Sequence, residues 1–157
     1  MNTPTLAHEV SNTTRRLYRG TSVVTFLLSS EDTNNALSIV EFSILAGTEP
    51  PPHIHDNEDE VFLIKEGEIT FIIGDNLVKA FPGDVVFAPR AVAHSFRINT
   101  PAATMRTIMT PGNFDKFFWK QSTPYSAGAP VKPVGPPSQS AIDSVIKLAS
   151  EFGVRFV

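Results

Sequence analysis

The stretch "GTEPPPHIHDNEDEVFLIKEG", Gly47 to Gly67, puts two of the chain's four histidines one residue apart, behind three consecutive prolines. Side chains of an extended strand alternate, so the rings of His53 and His55 leave the same face. The polar run Asp56 to Asp59 can turn the chain, and Glu60 then begins an apolar strand on which Phe62 and Ile64 share its face. A third histidine, His94, opens "HSFRI" after the turn-like "APRAVA". Three imidazoles and one carboxylate converging inside a barrel suit a divalent first-row metal. Neutral histidines and an anionic glutamate would leave such an ion a charge of about +1. An octahedral ion would keep about two positions open, for water, dioxygen or a chelating substrate. Asp56, Glu58 and Asp59 read as a solvated acidic rim, and His8 as a solvated or mobile residue of a polar N-terminal segment.

Around this stretch, from Thr21 to about Thr110, the chain reads as short strands separated by turns. "VEFSIL" alternates, with Val40, Phe42 and Ile44 on one face and Glu41 and Ser43 on the other. "EVFLIKEGEITFII" reads as a hairpin turning near Glu66-Gly67. "GDN" at Gly74 to Asn76 and "FPGD" at Phe81 to Asp84 are the next turns. "DVVFAP", "HSFRI" and "ATMRTIM" complete the set. Many short strands with turn signals every ten or so residues predict an all-β fold, an antiparallel barrel or sandwich.

The rest of the chain differs in kind. "NFDKFFWK" groups Phe114, Phe117 and Phe118 at helical spacing. Residues 121–139 carry prolines at 124, 130, 133, 136 and 137, which predicts an extended segment without regular structure draped over the barrel. A terminal helix follows. Ser140 is its expected N-cap, Ile142, Val145, Ile146, Ala149 and Phe152 form its apolar stripe, and Gly153 stops it. No internal repeat is present, so one domain is expected. Its parts are an N-terminal segment with strands over 1–35, a barrel core over 36–110, and helix, proline-rich linker and packing helix over 111–157.

Composition narrows the function classes. In 157 residues, 41% are hydrophobic and 18% charged, the profile of an ordinary globular domain. A net charge of −3 with scattered Lys and Arg leaves no basic field for nucleic acid or a membrane surface. Cysteine is absent, which excludes disulfides and thiolate ligands. The first thirty residues fit neither a signal peptide nor a membrane span, so the expected location is the cytoplasm.

The spacing within the opening stretch resembles the first motif of the cupin family: Gly47, five residues, His53-x-His55, four residues, Glu60, six residues, Gly67. Five such positions coincide by chance less often than about once in ten thousand. Gly83, five residues, Pro89 and then His94 resemble the second motif. Two positions depart from it: Ala91 stands where the family has glycine, and Ile98 where it has asparagine, with Asn99 one later. Alanine in a left-handed turn costs about 1 kcal/mol, which a folded barrel absorbs. The tail "TPGNFDKFF … LASEFGVRFV" also resembles the end of small single-barrel cupins of the quercetin 2,3-dioxygenase-like group.

The resemblance implies a double-stranded β-helix, or jelly-roll, barrel with a C-terminal helical extension. It also implies one divalent metal per chain held by His53, His55, Glu60 and His94, the ion being Fe, Mn, Ni, Co, Cu or Zn. If His94 and Glu60 face inward, Phe42, Ile44, Phe62, Ile64, Phe96, Ile98 and Met105 line an apolar pocket, with Met109 a further candidate. Such a lining suits an aromatic or otherwise apolar small molecule. The function expected is a quercetinase-like dioxygenase whose substrate, a flavonol or other enol, chelates the metal while Glu60 takes its hydroxyl proton. A non-catalytic metal- or small-molecule-binding cupin is the alternative, and a decarboxylase or isomerase a third. Val61 and Leu63 lie opposite Glu60 and need cover, from the terminal helix or from a second subunit; a homodimer is expected, as small cupins are commonly dimers.

Overall fold

The computed structural model describes residues 13–126 and 135–157. His8, Pro130 and Pro133 lie outside the described residues. The strands run in chain order as β1 (Thr14–Tyr18), β2 (Ser22–Leu28), β3 (Ser38–Leu45), β4 (His53–His55) and β5 (Asp59–Glu66). Then come β6 (Ile69–Ile73), β7 (Asn76–Ala80), β8 (Val85–Ala88), β9 (His94–Ile98) and β10 (Ala102–Thr110). Helix α1 (Asp115–Lys120), β11 (Ser122–Pro124), α2 (Gln139–Glu151) and β12 (Val154–Phe156) complete the described chain.

Two antiparallel sheets result. One has the order β11-β1-β2-β3-β10-β5-β8 and the other β12-β4-β9-β6-β7. Alternation sets their inner faces. Val40, Phe42 and Ile44 of β3 are buried while Ser43 is exposed, and Glu60, Phe62 and Ile64 of β5 are buried between half-buried neighbours. A single apolar core joins both sheets, running from Val24 and Phe42 through Phe62 and Phe71 to Val145 and Val154. Full burial of a side chain such as Phe71, 0% exposed, stabilises the fold by about 1.5–3 kcal/mol.

Five sequence readings change. The turn at Gly67 is present, but β5 and β6 do not pair as a hairpin: β5 lies between β10 and β8, and β6 between β9 and β7. Consecutive strands there switch sheets, which closes the barrel around the inner faces. Gly67 has φ 81°, and a Cβ on it would meet the Ala102 carbonyl oxygen at 2.6 Å, so the corner has no room for a side chain. The proline-rich stretch is not wholly irregular either, because Ser122–Pro124 form β11 along β1. Proline is tolerated there because β11 is an edge strand.

The terminal helix starts two residues earlier than expected. Ser138 is extended (φ −65°, ψ 156°) and its Oγ accepts from the Ala141 N–H at 3.3 Å, so it replaces Ser140 as N-cap. It is the first position after Pro136-Pro137 free of their restriction. Val145, Ala149 and Phe152 are buried, but Ile146 is 46% exposed. The helix packs against β12 and does not lie over the outer face of β5. Val61 draws its cover from its own sheet, where register lines up Phe87, Val61, Ile108, Ile39 and Leu28 across five adjacent strands. Phe87, on edge strand β8, stays 56% exposed. No helix among the described residues is long and apolar enough to cross a membrane.

Ala91 adopts φ 63°, the conformation its glycine-like position in the motif demands. Its N–H donates to the His55 carbonyl at 2.7 Å, so the turn is pinned to β4. A left-handed alanine costs about 1–2 kcal/mol, part of which glycine returns through a freer unfolded chain. Ala91→Gly should therefore raise stability by about 0.5–1 kcal/mol, read as a higher urea midpoint at unchanged m-value. A lower midpoint would show that the turn carries no strain.

Candidate metal centre

β4 is three residues long and is held on both sides. His53 pairs with His94 of β9, while Val154 and Phe156 of β12 pair with His55 and His53. Outside the ladder, the Asp56 N–H donates to the Gly153 carbonyl at 2.9 Å and the Val157 N–H to the Pro52 carbonyl at 3.0 Å. His53 and His55 thus point inward from a fixed strand, with Ile54 turned away and half-buried. Glu60 enters from β5 in the opposite sheet and His94 from β9.

The four side chains meet. Each offers one ligand atom, and these atoms lie within 4.8 Å of one another; all four residues are buried. Glu60 Oε2 is 2.9 Å from His94 Nε2 and 3.4 Å from His55 Nε2. The ring centroids of His53 and His94 are 4.5 Å apart, and those of His53 and His55 5.2 Å. Because a carbonyl oxygen only accepts, His53 Nδ1 must donate to the Pro51 carbonyl (2.8 Å) and His94 Nδ1 to that of Val92 (3.2 Å). That turns the Nε2 of each ring toward the common centre.

The donor set fits a metal ion. His55 Nε2 is buried with no hydrogen-bond partner, an arrangement that costs free energy unless something else engages the lone pair. Bonds of about 2.1 Å would set opposite ligands about 4.2 Å apart, so the four atoms would need to close only slightly. Imidazole and carboxylate donors without a thiolate suit Fe, Mn, Ni, Co, Cu or Zn alike.

Electrostatics distinguish the imidazoles. Burial pushes His53 down to about 4, against the pull of Glu60, so this ring stays neutral near pH 7. For His55 burial acts the same way, but Glu60 and the Glu58 carboxylate outweigh it and raise its pKa. Glu60 is pushed up by burial, yet the field of His55 and the hydrogen bond from His94 overcome this and hold it at about 2.

The acidic rim of the sequence reading divides. Asp56 is exposed, its side chain reaching Arg155 at 3.4 Å. Asp59 is clamped by Arg90 (2.8 Å), whose hydrogen bonds lower its pKa to about 2. Glu58 is no rim residue. It is 2% exposed, with Oε2 3.4 Å from His55 Nδ1. Parity carried the signal, since positions 58, 60, 62 and 64 are all buried.

A cavity of about 1030 Å³ opens from the centre. Of the pocket residues expected from sequence, Phe42, Ile44, Phe62, Phe96 and Met105 line it. Ile64 and Ile98 do not; they belong to the packed core, as does Met109. Facing inward gave the side of the sheet but not the depth along the barrel. The sequence reading missed the part of the wall built by Phe114, Phe117 and Phe118 at α1 and by Ile142, Val145 and Ala149 of α2. Their helical spacing marked apolar faces without saying what they faced.

The chain should bind one divalent ion, and replacing His53, His55 and His94 by alanine should abolish it. Loss of a supporting residue alone costs about 10- to 100-fold in affinity. Affinity should also fall as pH is lowered from 8 through the raised titration of His55, because a proton there competes with the ion. His53, already neutral above about pH 5, should add nothing to that slope. Chelator-competition titrations at several pH values read both effects, and full binding by the triple variant or a flat pH profile would remove this ligand set.

Comparison with known proteins agrees with this architecture. Residues 40–111 match the family model described as Cupin domain. A quercetin 2,3-dioxygenase of Bacillus subtilis (strain 168) is 26% identical over 110 residues, covering 70% of this chain and 33% of that protein. The chain thus spans about a third of the length of this curated relative. Among solved structures, an RmlC-like cupin from Shewanella frigidimarina superposes with a TM-score of 0.58 at 20% identity, over 74% of this chain and 99% of that one. A predicted oxalate decarboxylase from Thermotoga maritima gives a TM-score of 0.55 at 24% identity, over 68% and 99%. Both likenesses concern the fold. Over residues 40–111 the chain matches the cupin model, and in its motifs and sheet topology it is similar to cupins, whose fold it shares.

Proposed function

We propose that the protein is a metal-dependent dioxygenase acting on a small aromatic or otherwise apolar enol, such as a flavonol. The observation that carries this reading is the position of the four ligands in the wall of a cavity otherwise lined mainly by aromatic and aliphatic side chains. The rings of Phe42 and Phe118 meet edge to face at 4.8 Å, and those of Phe114 and Phe118 at 4.9 Å. A flat aromatic ligand buries its faces well among such rings. The distant similarity to a quercetin 2,3-dioxygenase supports the same class.

The ion, when bound, would supply Lewis acidity and a meeting point for the substrate oxygens and dioxygen. The chain's own residues do the rest. The aromatic walls orient the substrate and exclude water from the reacting end. Glu60, ionised at neutral pH and buried in the cavity wall, accepts the hydroxyl proton at a carboxylate oxygen. Thr107 Oγ1, buried in the cavity wall without a hydrogen-bond partner, is free to meet a further polar atom of the substrate.

Glu60→Gln keeps an oxygen donor and the shape but takes no proton at neutral pH. With metal-reconstituted protein and a panel of flavonols and small enols, the variant should still shift the ligand's absorption band. Its oxygen uptake should fall by a factor on the order of 100. Equal uptake by both proteins would take Glu60 out of the reaction. Absence of uptake by the wild type with every metal and substrate tried, with the band shift retained, would make the chain a binding cupin.

A further inference from the structure

The three histidines of the centre are braced in different ways. His53 and His94 each donate from Nδ1 to a carbonyl oxygen two residues earlier in the chain, Pro51 and Val92. Both acceptors are neutral and both come with the backbone turn. The acceptor at His55 Nδ1 is a carboxylate, Glu58 Oε2, at 3.4 Å and as buried as the histidine itself. From another direction the Phe114 ring meets the His55 ring edge to face at 4.6 Å and 87°. The imidazole is therefore fixed by an anion at one nitrogen and an aromatic ring beside it.

From this geometry we infer that Glu58 is a positioning residue of the metal centre, acting on the ion through His55. Its carboxylate keeps the proton on Nδ1, so that Nε2 presents its lone pair to the ion. An anionic acceptor polarises the Nδ1–H bond more than a carbonyl does, which strengthens His55 as a donor to the ion. His55 Nε2 makes no hydrogen bond, with Glu60 Oε2 3.4 Å away, so the nitrogen opposite Glu58 is the one left for the ion. Glu58 also alters the charge balance. Two buried carboxylates, Glu60 and Glu58, bring a divalent ion and its surroundings to neutrality where Glu60 alone leaves a positive charge. A neutral cluster is the least costly to hold in a low-dielectric interior. The inference rests on the metal reading of the four-residue site and is independent of the reaction performed there.

The test uses Co²⁺ alone, added to the metal-free full chain, with affinity read by chelator competition and ligand field by visible absorption. Glu58→Gln keeps a hydrogen-bond acceptor of the same size and removes the charge. It should weaken Co²⁺ binding by about 10- to 100-fold and shift the absorption bands, while the metal-free protein melts no lower than wild type. Glu58→Asp, which restores the charge at shorter reach, should recover part of the affinity. Asp59→Asn, which breaks the neighbouring pair with Arg90, should leave Co²⁺ affinity unchanged. Glu58→Gln with affinity within about twofold of wild type would overturn the role. So would a loss shared by Asp59→Asn and accompanied by a lower melting temperature, which would mark Glu58 as merely structural. If wild type itself takes up no Co²⁺, the metal site falls and this role with it; if wild type binds and the glutamine variant binds equally, Glu58 alone is removed.

Discussion

Three imidazoles and two carboxylates occupy a space from which water is nearly excluded, each residue being 9% exposed or less. Groups of this kind belong in water unless they find partners, and unpaired burial of a charge costs several kcal/mol. The surrounding structure answers that cost group by group. Backbone carbonyls take the Nδ1 protons of His53 and His94, Glu58 takes that of His55, and Glu60 faces two rings at once. A divalent ion would replace these mutual contacts by direct bonds and leave the outer ones standing. The precision of β4 follows from the same demand, because a strand of three residues holds its direction only if both edges are bonded.

Much of the centre is readable in the chain because its information is local. Two histidines one residue apart must share a face if the strand is extended, and Glu60 shares its face with Phe62 for the same reason. The turn that brings His94 back is marked by Pro89 and by the left-handed Ala91. Glu58 escaped because the run from Asp56 to Asp59 is polar throughout, and polarity outweighed parity in reading it. A buried acid in an acidic run differs from its neighbours only by alternation, and by the presence of a buried base three residues away.

What eluded the sequence was longer in range. Whether β5 and β6 form a hairpin depends on which strands compete for their edges, and those competitors, β8, β9 and β10, lie further along the chain. The same holds for the cavity. Ile64 and Ile98 point to the correct side of their sheets, but the bottom of the barrel is already filled with packed side chains. The rest of the wall comes from α1 and α2, whose apolar faces are plain in the sequence and whose destination is not.

The pairing of β12 with β4 bears on when the centre comes into being. These strands lie about a hundred residues apart, and closing so large a loop is favourable only after much of the barrel already stands. The histidine strand is therefore completed only when the barrel on either side of it stands, and a competent set of ligands exists only in that finished arrangement. An ion that binds only the finished arrangement leaves the folding rate nearly untouched and slows unfolding instead. In this chain metal would act as a lock on a finished barrel, and the lifetime of the native state, more than the speed of reaching it, would follow metal supply.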